Sequence, residues 1–159
     1  MKFKRGISLA LALALIAGMG GALMVRILTE GTRTLMGVRE LVLQPQSEID
    51  EVRRWLCTHG WHIMKEDILL DEGKYYPMFK AVPGETEGYT EAEYRFGKLG
   101  LQVSPEVLAD FLEKRLEVNR QIEAGLPKND DGRIAARRAE VAAEIGLLTE
   151  VLSCITSWR

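Results

Sequence analysis

The sequence predicts an α/β fold that gives way in its last third to helices alone. Three observations carry this. Short apolar runs alternate with amphipathic helical patterns as far as residue 84. Two strand-like runs flank Asp71-Glu72-Gly73-Lys74 and read as a hairpin that closes the sheet. From Ser104 onward the apolar residues keep helical spacing, interrupted once by the Gly- and Asp-containing stretch 125–132.

The chain has 159 residues, enough for one domain and a small appendage. Hydrophobic residues make up 47% and charged residues 28%, ordinary values for a globular protein with a packed core. The formal net charge of -2 excludes a global basic field, so any nucleic acid must be met by a local patch. Cys57 and Cys154 are the two cysteines, far apart and outside any CxxC pair. That spacing argues against a zinc site and against a disulfide scaffold, and it leaves two reduced thiols in a cytoplasmic setting.

The N-terminus admits two readings. Lys2, Lys4 and Arg5 precede a stretch from Gly6 to Val25 without a charge, which is the outline of a signal peptide or a membrane-anchoring segment. Against that, Gly18, Gly20 and Gly21 weaken a helix, and the apolar pattern continues through Leu23, Ile27 and Leu28 to Gly31. The favoured reading is a buried strand over Leu11–Ile16, a glycine loop and an amphipathic helix, although the Leu-Ala run before it has helical propensity.

Further on, Leu41-Val42-Leu43 is a short strand ended by Gln44-Pro45. Ser47 to Asp50 has the form of a capping box, with Val52, Trp55 and Leu56 on one helical face and Gly60 at the C-terminal end. Trp61–Met64 and Ile68–Leu70 look extended. The run 75–82 contains Pro77, which calls for an edge position or a bulge. Residues 1–84 are therefore expected to form the α/β part, 85–103 a linker and 104–159 an antiparallel helical hairpin. In that hairpin Leu108, Phe111, Leu112 and Leu116 face a heptad seam of Val141, Ile145, Leu148, Leu152 and Ile155, the pattern of a coiled coil.

Few residues suggest chemistry by themselves. The loop Ala17-Gly18-Met19-Gly20-Gly21 follows a strand and opens a helix, where ligands of α/β sheets bind and where glycine lets a ligand approach the backbone. Its spacing is not GxGxxG, so a tight turn explains it equally well. Gln44 and Pro45 would share its edge if the two strands are neighbours, with the Gln44 amide able to read a base. His59 and His62 lack a third ligand at metal spacing and read as helix-end residues. Cations including Lys114, Arg115, Arg137 and Arg138 concentrate on the helical tail, interleaved with glutamates. An ion-paired solvated face and a phosphate-contacting patch are both open there.

Taken together and in order, several segments resemble the bacterial tRNA (adenine(22)-N1)-methyltransferases. They are Ile16 to Gly21, Leu28-Thr-Glu-Gly31, Leu41 to Pro45 with Val52 to Leu56, Gly73-Lys-Tyr-Tyr76, and Tyr89 to Gly97. The resemblance implies the C-terminal part of a Rossmann-like methyltransferase sheet followed by a coiled-coil hairpin. It implies S-adenosyl-L-methionine as cofactor, tRNA as partner, no metal, and methyl transfer to N1 of adenine 22. It places Ala17, Gly18, Met19, Gly20 and Gly21 at the cofactor, Gln44 and Pro45 beside the base, and Lys114, Arg115, Arg137 and Arg138 against the tRNA. The family's cofactor-binding strands precede the Ile16 segment, and nothing before Leu9 matches them. The expectation is thus a chain without the N-terminal part of that domain, with impaired activity. The alternatives are a non-catalytic RNA-binding remnant and a membrane-anchored or exported helical protein.

Overall fold

The computed structural model describes residues 19–128 and 132–157. They fall into two units that divide at Ser104–Pro105. The expected strand Leu11–Ile16, and the signal-like stretch up to Gly18, lie outside the described residues. Among the described residues no helix is long and apolar enough to cross a membrane.

The first unit opens with helices α1 (Gly21–Glu30) and α2 (Thr32–Leu35), followed by strand β1 (Leu41–Leu43) and helix α3 (Ile49–Thr58). Strands β2 (Trp61–Asp71) and β3 (Lys74–Pro83) and the short helix α4 (Glu91–Phe96) complete it. The sheet has the order β1-β3-β2 and both of its strand pairs are antiparallel. In β1 the alternation Leu41-Val42-Leu43 puts both leucines inward, opposite Ala81 and Phe79 of β3. Met24 and Leu28 of α1, Val52, Trp55 and Leu56 of α3, and Ile63 of β2 fill the same core. The indole N–H of Trp55 donates to the Thr29 hydroxyl at 2.9 Å, so the two helices are joined by a polar contact as well as by packing.

The hairpin matches the sequence reading and explains it. Asp71 and Lys74 face each other, and the two loop residues, Glu72 and Gly73, have φ of 45° and 77°. Positive φ at both positions is the type I′ turn, whose twist suits two antiparallel strands. Pro77 pairs with Ile68 of β2 and sits outside the span 79–81 that β1 reaches, so it occupies a stretch of β3 with one described neighbour.

Three expectations are corrected. First, β2 is one strand, not two pieces. The charged triplet Lys65-Glu66-Asp67 is accommodated because a bulge between Ile63 and Lys65 resets the register and turns Glu66 inward, where it is 2% exposed. Second, Ser47 does not cap α3. Its N-cap is Glu48, in left-handed backbone, and no side chain caps the helix. The capping box lies instead at α4. There the Thr90 hydroxyl accepts from the Glu93 N–H at 3.2 Å and the Glu93 carboxylate accepts from the Thr90 N–H at 2.8 Å. Third, the segment 85–103, read as a linker, belongs to the first unit. It starts with Gly84 N–H donating to the Gly60 carbonyl and the Thr86 hydroxyl to the Trp61 carbonyl, and ends with Val103 N–H donating to the Glu66 carbonyl.

The second unit is helix α5 (Pro105–Gly125) packed on helix α6 (Gly132–Ser157). Leu108, Leu112 and Leu116 are buried on α5; Val141, Glu144, Leu148, Val151 and Ile155 are buried on α6. The steps of three and four hold, but Glu144 and Val151 replace the expected Ile145 and Leu152, which are half-buried. The reason at the first position is electrostatic: the Glu144 carboxylate takes the Arg115 guanidinium at 2.8 Å from the facing helix.

A Cβ on Gly21 would lie inside van der Waals distance of the Ser47 and Glu48 carbonyls, whereas one on Gly37 meets nothing within 4 Å. Gly21→Ala is therefore expected to destabilise the protein by about 1–3 kcal/mol, as overpacking does. Gly37→Ala should leave the thermal midpoint unchanged or higher. Thermal melts of the two variants beside the parent chain check this.

Candidate functional site

The glycine loop and the Gln44-Pro45 segment, predicted separately, are brought together. Gly20 and Ser47 form an isolated parallel bridge, Gln46 N–H donates to the Met19 carbonyl at 3.0 Å, and Gly21 N–H donates to the Ser47 carbonyl at 2.8 Å. The chain therefore leaves the glycine loop and the end of β1 side by side and in the same direction. Pro45 is buried and Gln44, Met19 and Gly20 are half-buried beside this seam. Ala17 and Gly18 lie outside the described residues.

The loop is closed by Glu48. Its carboxylate accepts from Ala22 N–H at 2.9 Å, and the Ser47 hydroxyl lies 3.4 Å from the same oxygen. The backbone of Glu48 has φ 48° and ψ 45°, a left-handed conformation that costs a residue with a side chain about 1 kcal/mol. A helix start can offer free N–H groups to a ligand, yet the first two of α1 are taken by the Ser47 carbonyl and the Glu48 carboxylate. A ligand at this loop meets bare glycine backbone and a negative side chain. The residues present fit a ligand held by shape and close approach, and they do not fit an anion held by those two amides.

The cations assigned to the substrate all have partners on the helical unit. The Lys114 ammonium lies 3.1 Å from Asp110, Arg115 pairs with Glu144, and Arg137 lies 3.0 Å from Glu140. Arg138 donates to the Pro127 carbonyl at 2.6 Å. This is the ion-paired face. The exposed Lys114–Asp110 and Arg137–Glu140 pairs contribute about 0–1 kcal/mol each, so these two cations are open to exchange onto a phosphate, whereas the Glu144 partner of Arg115 is buried. His59 stacks on Trp55 with ring centroids 4.4 Å apart, and among the described residues no group of three His, Cys, Asp or Glu side chains is arranged to hold a metal.

Sequence reasoning missed a buried ion pair between Arg53 and Glu66. Arg53 is 3% exposed, and its guanidinium meets the Glu66 carboxylate at 2.7 and 2.9 Å. It also donates to the carbonyls of Tyr94 and Arg95 at 2.8 and 3.0 Å and lies 4.8 Å from the centre of the Phe79 ring. Gly97, with φ 88°, passes so close that a Cβ there would strike both the Glu66 carboxylate and the Gln102 amide. Burial pushes the Glu66 carboxyl above the usual carboxylate range, against the pull of Arg53. Burial likewise raises the Cys57 thiol and the Tyr89 phenol, both near Glu66. The one signal available was a glutamate at an inward position of β2, hidden by the bulge.

A glycine loop beside the end of a strand, with helices packed on the sheet, is an arrangement that Rossmann-like folds use at their ligand edge. A Streptococcus agalactiae protein of the NADB-Rossmann superfamily matches at TM-score 0.72 and 28% identity, over 86% of this chain and 57% of that one. The chain belongs to the tRNA (adenine(22)-N(1))-methyltransferase family, TrmK, whose model matches residues 8–150. The curated Bacillus subtilis tRNA (adenine(22)-N(1))-methyltransferase is 37% identical over 101 residues, which are 62% of this chain and 42% of that protein. The crystal structure of the B. subtilis m1A22 tRNA methyltransferase TrmK matches at TM-score 0.71 and 27% identity, over 86% of this chain and 61% of that one. A Streptococcus pneumoniae protein solved in complex with S-adenosyl-L-methionine matches at TM-score 0.68 and 34% identity, over 86% and 57%. The chain thus spans less than two thirds of each of these relatives.

Two outcomes follow from the buried pair. Arg53→Met leaves a buried carboxylate without its partner and should destabilise by about 3–5 kcal/mol, whereas the double variant Arg53→Met/Glu66→Leu should lose much less. Denaturant unfolding of the three proteins measures the difference. The pH dependence has a definite sign. A carboxyl whose folded pKa is raised favours the fold below its unfolded value of about 4.3, and that contribution is lost as pH rises through the folded value. Stability of the parent chain should therefore decline across that window, and Glu66→Gln should flatten the decline.

Proposed function

We propose that this chain supplies the glycine-loop wall and the tRNA-holding helices of an S-adenosyl-L-methionine-dependent enzyme that methylates N1 of adenine 22 in tRNA. The observation that carries this reading is the seam of Met19-Gly20-Gly21 against Gln44–Ser47. It supports reading the bare glycine backbone and the nearby Gln44 amide as one edge of a pocket for a donor methyl and a flipped base. Met19, Gly20 and Gly21, preceded by Ala17 and Gly18, line the cofactor side. Gln44 and Pro45 line the base side. When bound, S-adenosyl-L-methionine supplies a methyl group on a sulfonium, and the lone pair of adenine N1 is the acceptor, so the protein's task is alignment of the two. No general base is needed to create that nucleophile. The α5–α6 pair, read as a coiled-coil hairpin, presents Lys114, Arg115, Arg137 and Arg138 to the phosphate backbone, Lys114 and Arg137 by exchanging their exposed carboxylate partners Asp110 and Glu140.

The reading is tested with tRNA carrying unmodified adenine 22 and donor labelled in the methyl group. Transfer of label to that position, lost when adenine 22 is replaced by guanine, is the expected result; the rate of the chain alone is expected to fall below that of a full-length relative. Binding of tRNA that weakens with salt, without any label transfer, identifies the chain as a non-catalytic RNA-binding module. Absence of both overturns the proposal.

A further inference from the structure

We propose that Glu48 is a positioning residue for the glycine loop, holding Met19–Ala22 against the end of β1. The inference rests on the reading of that loop as a pocket wall. Three features converge on Glu48. Its carboxylate closes the Ala22 N–H, the second donor of α1. Its carbonyl accepts from Glu51 and Val52 N–H at 3.1 and 3.4 Å and so starts α3. Its left-handed backbone is the bend that turns the side chain back toward α1 while the main chain departs in the other direction.

A regular N-cap would satisfy its own helix. Glu48 instead gives its carbonyl to the helix it begins and its carboxylate to the neighbouring helix. Strained backbone of this type persists where surrounding contacts over-determine it, and here those contacts are the ones that locate Gly20 and Gly21. The bare glycines cannot fix their own position, because they have no side chains to pack. Ser47 provides one main-chain bond to Gly21, and Glu48 provides the second anchor one residue further on. Loss of the carboxylate frees the loop to slide along Ser47 while the core beneath stays packed through Met24, Leu28, Val52 and Leu56.

The experiment compares Glu48→Ala, Glu48→Gln and Glu48→Gly in the full chain by amide hydrogen exchange. In Glu48→Ala, exchange at Ala22 and Gly21 should rise about fivefold to tenfold, the range of a lost cap, while Phe79 and Ala81 in the sheet are unchanged. Glu48→Gln retains an acceptor and should restore part of the protection. Glu48→Gly should melt higher than Glu48→Ala, because the left-handed strain is gone, yet be as loose at Ala22. Unchanged exchange at Ala22, or an increase matched in the sheet, overturns the proposal. Calorimetry with S-adenosyl-L-methionine forms a second arm. If the parent chain binds, affinity should fall in Glu48→Ala and partly return in Glu48→Gln; an unchanged affinity with a loosened loop reduces Glu48 to a helix cap and also overturns it. If the parent chain does not bind, the pocket reading fails by itself, and the exchange data still decide whether Glu48 holds the loop.

Discussion

The first unit is organised around one buried ion pair. Arg53 projects from α3 and Glu66 from β2, so the pair ties a helix to the strand beneath it. Two charges this deep are costly unless every donor and acceptor is matched. Arg53 satisfies its own remaining donors by reaching past Glu66 to the carbonyls of Tyr94 and Arg95 near the end of α4. That choice fixes where the segment 85–103 must run. Gly97 is then obligatory, because only backbone without a Cβ passes between Glu66 and Gln102. The bulge in β2 is part of the same arrangement, since without it Glu66 would face outward.

A second, lighter arrangement governs the N-terminal end of α3. There the glycine loop, Ser47 and Glu48 are laced by main-chain bonds and one carboxylate, with little apolar burial of their own. The contrast is physical. The Arg53–Glu66 group is enclosed and sets the fold, whereas the loop at Gly20 is half-exposed and sets a surface. Catalytic surfaces are commonly built that way, as adaptable backbone on a rigid frame.

Much of this was legible in the sequence where the signal is local. The hairpin turn at Asp71–Lys74, the short strand Leu41–Leu43, the face of α3 and the start of α5 at Pro105 follow from spacing and turn chemistry. The neighbourhood of the glycine loop and Gln44-Pro45 was legible as a conditional statement, since it required the two segments to lie side by side. What could not be read depended on contacts distant in sequence. Ser47-Glu48-Ile49-Asp50 has the letters of a capping box, but Glu48 is claimed by Ala22, 26 residues earlier. Arg53 and Glu66 look like surface charges until the bulge is known. The seam of α6 moved to Glu144 and Val151 because a cross-helix ion pair outweighed the burial of Ile145.

The short length of β1 leaves one more consequence. Over three residues it covers only the 79–81 stretch of β3, so the hairpin extends past it with its flank uncovered among the described residues. An uncovered strand invites a foreign strand to add to the sheet and to propagate into aggregates. Pro77 stands in that flank. A proline inside a ladder is tolerated where its missing N–H would have pointed away from its partner, here away from Ile68. The hairpin therefore offers an incoming chain a row of donors with a gap in it at Pro77, whose buried ring also packs on the inner face of β3.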